Sequence, residues 1–171
     1  MNPAPPVPFC PAMPVHSSHA VDVYPYRRTG TGGTEWLVLR RAEGRSDAGR
    51  WRQVGGKIRP GEAAWETAVR ELAEETGWEP GAGLLEMWAL PSVNAFYEVA
   101  EDRVVLAPAF AARVEGEPTV DDEHDAWAWH PAEAAASRLA WPEPARLLRL
   151  AARLADVPDR PAAWRVPLGG G

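Results

Sequence analysis

One stretch, residues 55–77, constrains this chain more than any other. It reads GGKIRPGEAAWETAVRELAEETG. Pro60-Gly61-Glu62 makes a tight turn that opens a helix running to about Thr76, and Gly77 is a natural C-terminal stop. Glu71, Glu74 and Glu75 stand at i, i+3 and i+4, so they share one face of that helix. Like charges at this spacing repel by a few tenths of a kcal/mol per pair. Arg70 to Glu74 is the one i,i+4 ion pair available to relieve them. Ala64, Ala68 and Leu72, with Trp65 and Val69 alongside, form the opposite side and face the core. Three clustered carboxylates make physical sense if a hard cation neutralises them, and Mg²⁺ takes oxygen ligands of this kind. Gly55-Gly56 lets backbone approach a ligand or metal closely. Lys57 and Arg59 add positive charge beside it.

The rest of the chain alternates short strands and helices. Val21–Arg28 and Trp36–Arg41 read as strands, the second buried, with a Gly-rich turn between them. Glu43–Arg50 is a polar loop, and Trp51–Ile58 is an extended segment broken at Gly55-Gly56. Leu84–Leu90, Ala95–Val99 and Arg103–Val114 read as strands, the last two joined as a hairpin through Ala100–Asp102. Pro108 predicts an edge or a bulge. Asp125–His130 is a further short strand. Pro131–Leu139 and Glu143–Ala155 are helical, the second packing on the core through Leu147, Leu148, Leu150 and Leu154. No regular βαβ rhythm appears, so the expectation is an α+β fold with a mixed sheet. The domain is expected over 19–157, between a flexible Pro-rich start (1–18) and a loose Pro/Gly-rich tail (158–171).

Composition sets further bounds. With 171 residues, 46% of them hydrophobic, the chain suits one domain with one core. Cys10 is the single cysteine, so no intramolecular disulfide can form, as expected in a reducing compartment. Residues 1–14 hold six prolines and no Lys or Arg, unlike the basic start of a signal peptide. No apolar run approaches a membrane span. The chain therefore reads as a soluble cytoplasmic protein with no membrane partner.

Its net charge of -6 is unevenly spread. Residues 27–59 carry nine Lys/Arg and three acids, whereas residues 60–136 carry three Arg and seventeen acids. A nucleic-acid polymer would call for a dominant basic surface. This layout instead suits a site where basic groups hold phosphate oxygens and carboxylates hold divalent cations.

The segment resembles the Nudix box, which has the form G, five residues, E, seven residues, then R-E-aliphatic-x-E-E-x-G-apolar. Here Gly56, Glu62, Arg70, Glu71, Glu74, Glu75 and Gly77 fill its fixed positions, with Trp78 where an aliphatic is more usual. Seven identities at fixed spacing arise at a given position on the order of once in 10⁸ under average composition. The resemblance implies an αβα sandwich with a mixed sheet and a loop–helix–loop catalytic motif. It implies hydrolysis of a diphosphate linkage in a nucleotide-like small molecule, with Mg²⁺ as cofactor and Mn²⁺ able to substitute. Glu71, Glu74, Glu75 and the Gly56 carbonyl would hold metal. Glu71 is also a candidate base, Arg70 would orient it, and Glu62 and Gly77 would be structural. A homodimer is compatible with the resemblance.

Outside the box, Trp51-Arg52-Gln53-Val54 and Asp122-Glu123-His124 followed by Trp127-Ala128-Trp129 resemble small nucleoside triphosphate and dihydroneopterin triphosphate pyrophosphatases. In that group a late glutamate reaches the metal site, and Glu123 is the match. His124 is expected at the rim. Arg40, Arg41 and Lys57 are candidates for phosphate contact. Asn94, Phe96 and Tyr97 are candidates for holding the heterocycle, and Trp51 and Trp88 are further stacking candidates. Three functions fit: a pyrophosphatase of a (d)NTP or dihydroneopterin triphosphate, a hydrolase of linked diphosphates such as ADP-ribose or dinucleoside polyphosphates, or a non-catalytic binding module of the same fold.

Overall fold

The computed structural model describes residues 15–169. Among these residues nine strands form one mixed sheet. The strands are β1 (Val15–Ser17), β2 (Ala20–Arg28), β3 (Thr34–Arg41), β4 (Trp51–Arg52), β5 (Val54–Lys57), β6 (Glu79–Pro80), β7 (Gly83–Glu98), β8 (Arg103–Val114) and β9 (His124–Pro131). The helices are α1 (Ala64–Thr76), α2 (Ala132–Arg138) and α3 (Pro142–Ala155). The main path runs β4-β3-β2-β8-β7-β6, with β5 on β2, β9 on β3 and β1 on β8. The β2–β8 and β1–β8 pairs are parallel, whereas β2–β3, β3–β9 and β7–β8 are antiparallel. This is the α+β architecture expected.

Both faces of the sheet are covered, which explains why its central strands are apolar without alternation. Trp36 and Val38 of β3 and Tyr24 and Tyr26 of β2 pack with Ala145, Leu147, Leu148 and Ala151 of α3. Their neighbours Leu37, Leu39, Val21 and Val23 point the other way, into a cluster with Ala68 and Leu72 of α1. The period of two along each strand thus sorts one continuous apolar run into two cores.

Several local expectations are corrected. Leu84–Leu90 and Ala95–Glu98 belong to one long strand, β7, whose register against β8 shifts between Ala89 and Val93, and Val99 opens the short 3-10 turn that follows it. Pro108 sits opposite Val93 beside that shift, in a strand paired on both sides. The bulge is carried by the partner strand, and the proline is not at a sheet edge. α1 begins at Ala64 rather than at Pro60, because Gly61 adopts φ 85° and residues 60–62 are spent on the turn. The boundary at residue 18 falls inside the sheet, since β1 pairs with Arg103–Val105. The rest of the Pro-rich start, residues 1–14 with Cys10, lies outside the described residues.

The segment after Asp156 is packed rather than loose. The Arg160 guanidinium donates to the carbonyls of Leu154, Ala155 and Val157, capping the end of α3. It also pairs with Glu86 at 2.8 Å and lies 4.6 Å over the Trp88 ring. Val166 is buried, and its N–H donates to the Met87 carbonyl. Short-range proline content does not reveal the pairing of Arg160 with Glu86, 74 positions away in the chain.

Candidate active site

The site is built first from the turn into α1. Glu66 accepts from the Ala63 N–H at 2.8 Å, closing the helix N-terminus without a hydroxyl cap. At the other end Gly77 takes φ 79° and its N–H reaches the Ala73 carbonyl, a left-handed stop that L side chains rarely adopt. Between these ends Arg70 is the tie. Its guanidinium donates to both Glu62 oxygens (2.7 and 2.9 Å), to Glu71 (2.7 Å), to Glu74 (3.0 Å) and to the Lys57 carbonyl (3.0 Å). Only arginine's planar fork supplies so many directed donors from one side chain. Glu62 also accepts from the Arg59 N–H and the Thr67 hydroxyl. The Arg70 guanidinium, against the cost of desolvation, holds the Glu62 carboxyl down to about 2.

Gly56 is explained by space. A Cβ added there would lie 2.2 Å from the Glu71 carboxyl carbon, so the Glu71 carboxylate rests directly on the bare backbone of β5. Gly55 is as constrained, because a Cβ there would lie 2.3 Å from the Val21 carbonyl oxygen. Neither requirement depends on a positive φ; both come from close approach.

The three clustered glutamates differ in surroundings. Glu74 is the most open and pairs with Arg59 and Arg70. Glu71 is largely covered and pairs with Arg70. Glu75 is buried, and its Oε2 has no hydrogen-bond partner. Burial pushes the Glu75 carboxyl well above the usual range, with Glu71 and Asp121 adding to the rise, against the charge of Arg52 and the Gly55 amide. All three line one cleft of about 960 Å³. No three His, Cys, Asp or Glu side chains converge at metal-ligand spacing among the described residues. Glu71 and Glu74 are instead drawn onto Arg70. The residues nonetheless fit a hard cation: the donors are all oxygens, one of them is buried and unsatisfied, and Gly56 opens the backbone beside Glu71.

The same cleft collects most of the other sequence candidates. Arg41, Lys57, Asn94, Phe96, Tyr97 and Glu123 all line it. Glu123 is gripped by Arg41, with Arg45 at 3.6 Å, and the Arg41 hydrogen bond keeps its carboxyl below the ordinary value. Arg40 does not line the cleft. It neighbours Arg41 on a strand, so it faces the other side, where it donates to Asp125 at 2.7 Å and leans toward Trp51. Trp88 is buried in the α3-side core, and Trp51 packs against that core beneath Arg138. Neither is available for stacking in the cleft. His124 is not at the rim. It is 4% exposed, its Nδ1 lies 2.8 Å from Asp121, and burial lowers its pKa.

Sequence reasoning missed Asp22, the site role of Gln53, and Trp141. Asp22 is buried on the cleft floor, bonded to Gln53 and Asn94 at 2.8 Å each. The signal was an acid inside the apolar strand Val21–Tyr26, where a lone charge is costly unless it is used. Trp141 precedes α3 and lines the cleft half-exposed. Its position on the far wall had no local signature.

The NUDIX domain model matches residues 17–151, and members of that family generally depend on a divalent metal. A Nudix hydrolase of Listeria monocytogenes is 25% identical, with a TM-score of 0.66 over 81% of this chain and 94% of that one. The MutT protein of Methanosarcina mazei is 26% identical, with a TM-score of 0.62 over 84% and 97%. The dihydroneopterin triphosphate pyrophosphohydrolase of E. coli, at 21% identity, shares the fold with a TM-score of 0.63 over 76% and 91%. No helix among the described residues is long and apolar enough to cross a membrane.

Proposed function

The chain belongs to the Nudix family of hydrolases acting on pyrophosphate bonds, and from that premise we propose that it cleaves a nucleoside triphosphate-like substrate, a (d)NTP or dihydroneopterin triphosphate, to a monophosphate and pyrophosphate. One observation carries this reading. The carboxylates of α1, the cations Arg41, Arg52 and Lys57, and the aromatic side chains Phe96, Tyr97 and Trp141 share a single cleft. Its volume is at the upper end of the ~300–1,000 Å³ typical of small-molecule sites.

Glu71, Glu74, Glu75 and the Gly56 carbonyl would hold Mg²⁺, with Mn²⁺ as a substitute. When bound, such a cation offsets phosphate charge and makes water a better nucleophile. Arg70 holds the Glu71 carboxylate against the bare backbone of β5 through the 2.7 Å bond. Lys57 and Arg41 line the same cleft and would meet phosphate oxygens there. Glu71 or Glu123 takes the proton of the attacking water, and Glu123 is kept ionised for this by Arg41.

A panel of (d)NTPs, dihydroneopterin triphosphate, ADP-ribose and diadenosine tetraphosphate, assayed with and without Mg²⁺, tests the reading. Turnover of a triphosphate with release of pyrophosphate is expected. Cleavage confined to the linked diphosphates would overturn the substrate class, and no turnover of any would favour a binding module. Glu74→Gln is expected to abolish turnover while the circular dichroism spectrum is unchanged. Retained activity in that variant would remove Glu74 from the metal-holding set.

A further inference from the structure

The floor of the cleft is a polar cluster that the cleavage chemistry does not use. Asp22 Oδ1 accepts from Gln53 Nε2 at 2.8 Å, and Oδ2 accepts from Asn94 Nδ2 at 2.8 Å. The Tyr24 hydroxyl stands at 3.5 Å from Oδ2, the limit of a hydrogen bond. Asp22, Gln53 and Asn94 all line the cleft, and none is more than 6% exposed.

A carboxylate only accepts, so it fixes both amides with their NH₂ groups toward it and their carbonyl oxygens away. The result is a surplus of acceptors. Gln53 Oε1 is buried with no partner. Asn94 Oδ1 is left over once its nitrogen is committed, and Asp22 has about four lone-pair sites, of which two are well used. Burial raises the Asp22 carboxyl, while the Gln53 and Asn94 donors and the charge of Arg52 oppose the rise. A buried acceptor without a donor costs about 1–3 kcal/mol, so the cluster is poised for donors brought by a ligand.

Heterocycles differ in what they offer such a floor. Adenine and cytosine set a ring acceptor next to their amino group. Uracil and hypoxanthine offer one ring N–H and no amino group. Only a 2-amino-4-oxopyrimidine edge presents a ring N–H and an amino group side by side; guanine has it, and so does a pterin. Trp141, 36% exposed, and Phe96, 46% exposed, line the same cleft and supply faces for stacking.

We propose that the Asp22–Gln53–Asn94 cluster selects substrates bearing a 2-amino-4-oxopyrimidine edge, guanine nucleotides or pterin phosphates. The inference rests on the triphosphate reading above, of which it names the base. Inosine nucleotides are the decisive controls, because they lack only the amino group.

Calorimetric titration of the metal-free protein with guanosine, inosine and dihydroneopterin monophosphates reads recognition without turnover. At least about tenfold tighter binding of the guanosine or the dihydroneopterin ligand than of the inosine ligand is expected, since sites built to hydrogen-bond a group discriminate strongly against its loss. A response to the pterin alone assigns the edge to a pterin. Binding of both within about twofold of the inosine ligand, or of neither, overturns the proposal. A base preference without hydrolysis of any triphosphate would sink the catalytic reading and leave this one standing. Hydrolysis of GTP, dihydroneopterin triphosphate and ITP at equal kcat/KM would do the reverse. Asp22→Asn is expected to collapse the preference, because a carboxamide donates where the carboxylate accepted. A preference that survives in a folded Asp22→Asn protein removes Asp22 from recognition, and the wild-type titrations decide the proposal if that variant does not fold.

Discussion

α1 and α3, of 13 and 14 residues, cover opposite faces of one sheet and are built on opposite rules. α3 buries Ala145, Leu147, Leu148, Ala151 and Ala155, and its charges pair on the outside, Arg146 with Glu143 and Arg149 with Glu133. α1 buries Ala68 and Leu72 too, yet it also buries Thr67 and Glu75 and leaves a carboxylate oxygen unsatisfied. The contrast teaches where to look for chemistry. A helix that follows every packing rule is holding the fold together, and one that breaks a rule at a cost is holding something else.

That contrast can be broken by experiment. The largest effect is expected from Glu75→Gln. Turnover should fall by about 10³-fold, on the scale of removing one group that stabilises charge at a reacting centre. The thermal midpoint in metal-free buffer should hold or rise, because a buried carboxyl whose ionisation is costly is replaced by a neutral amide of the same shape. A large loss of stability with activity retained would make α1 an ordinary structural helix.

Leu147→Ala is the converse. The side chain is fully buried, and the truncation should cost about 2–5 kcal/mol in denaturant unfolding. The kcat of the folded fraction should stay within about twofold, since the cavity lies across the sheet from the glutamates. Acid should then separate the two helices. The Glu62 carboxyl is held at about 2 by Arg70, so its folded value lies below its free value of about 4.3. Its contribution to stability is present above that free value and is lost as pH falls toward 2. Hydrogen exchange between pH 5 and 2 should show the start of α1 loosening before the buried face of α3, which does not titrate. The smallest effect belongs to Arg149→Ala. Its pair with Glu133 is exposed, and unfolding should change by no more than about 0.5 kcal/mol.

Much of α1 was legible because its determinants are local. The Arg70 contacts to Glu62, Glu71 and Glu74 all lie within eight residues. The start of the helix was misplaced by a few residues because Gly61 in a left-handed turn was read as its first turn. Arg40 was misassigned by a one-residue strand parity, which only the register of β3 against its neighbours fixes. Trp88 and Trp51 could not be told from stacking residues by type, because core and ligand faces use the same aromatic surface.

By itself the sequence determined the reaction class, and it singled out the carboxylates we propose for it. A helix period and a few glycines specify relative positions within one segment, and such distances are set by backbone geometry alone. The base-recognition floor was decided only in three dimensions. Asp22 meets Gln53 and Asn94 across 31 and 72 residues of chain, and those meetings depend on how β2, β5, β7 and β8 pair. The cost of closing such loops is met by the two apolar cores, so the fold, not any local rule, brings an acid, two amides and the far-wall Trp141 to one cleft.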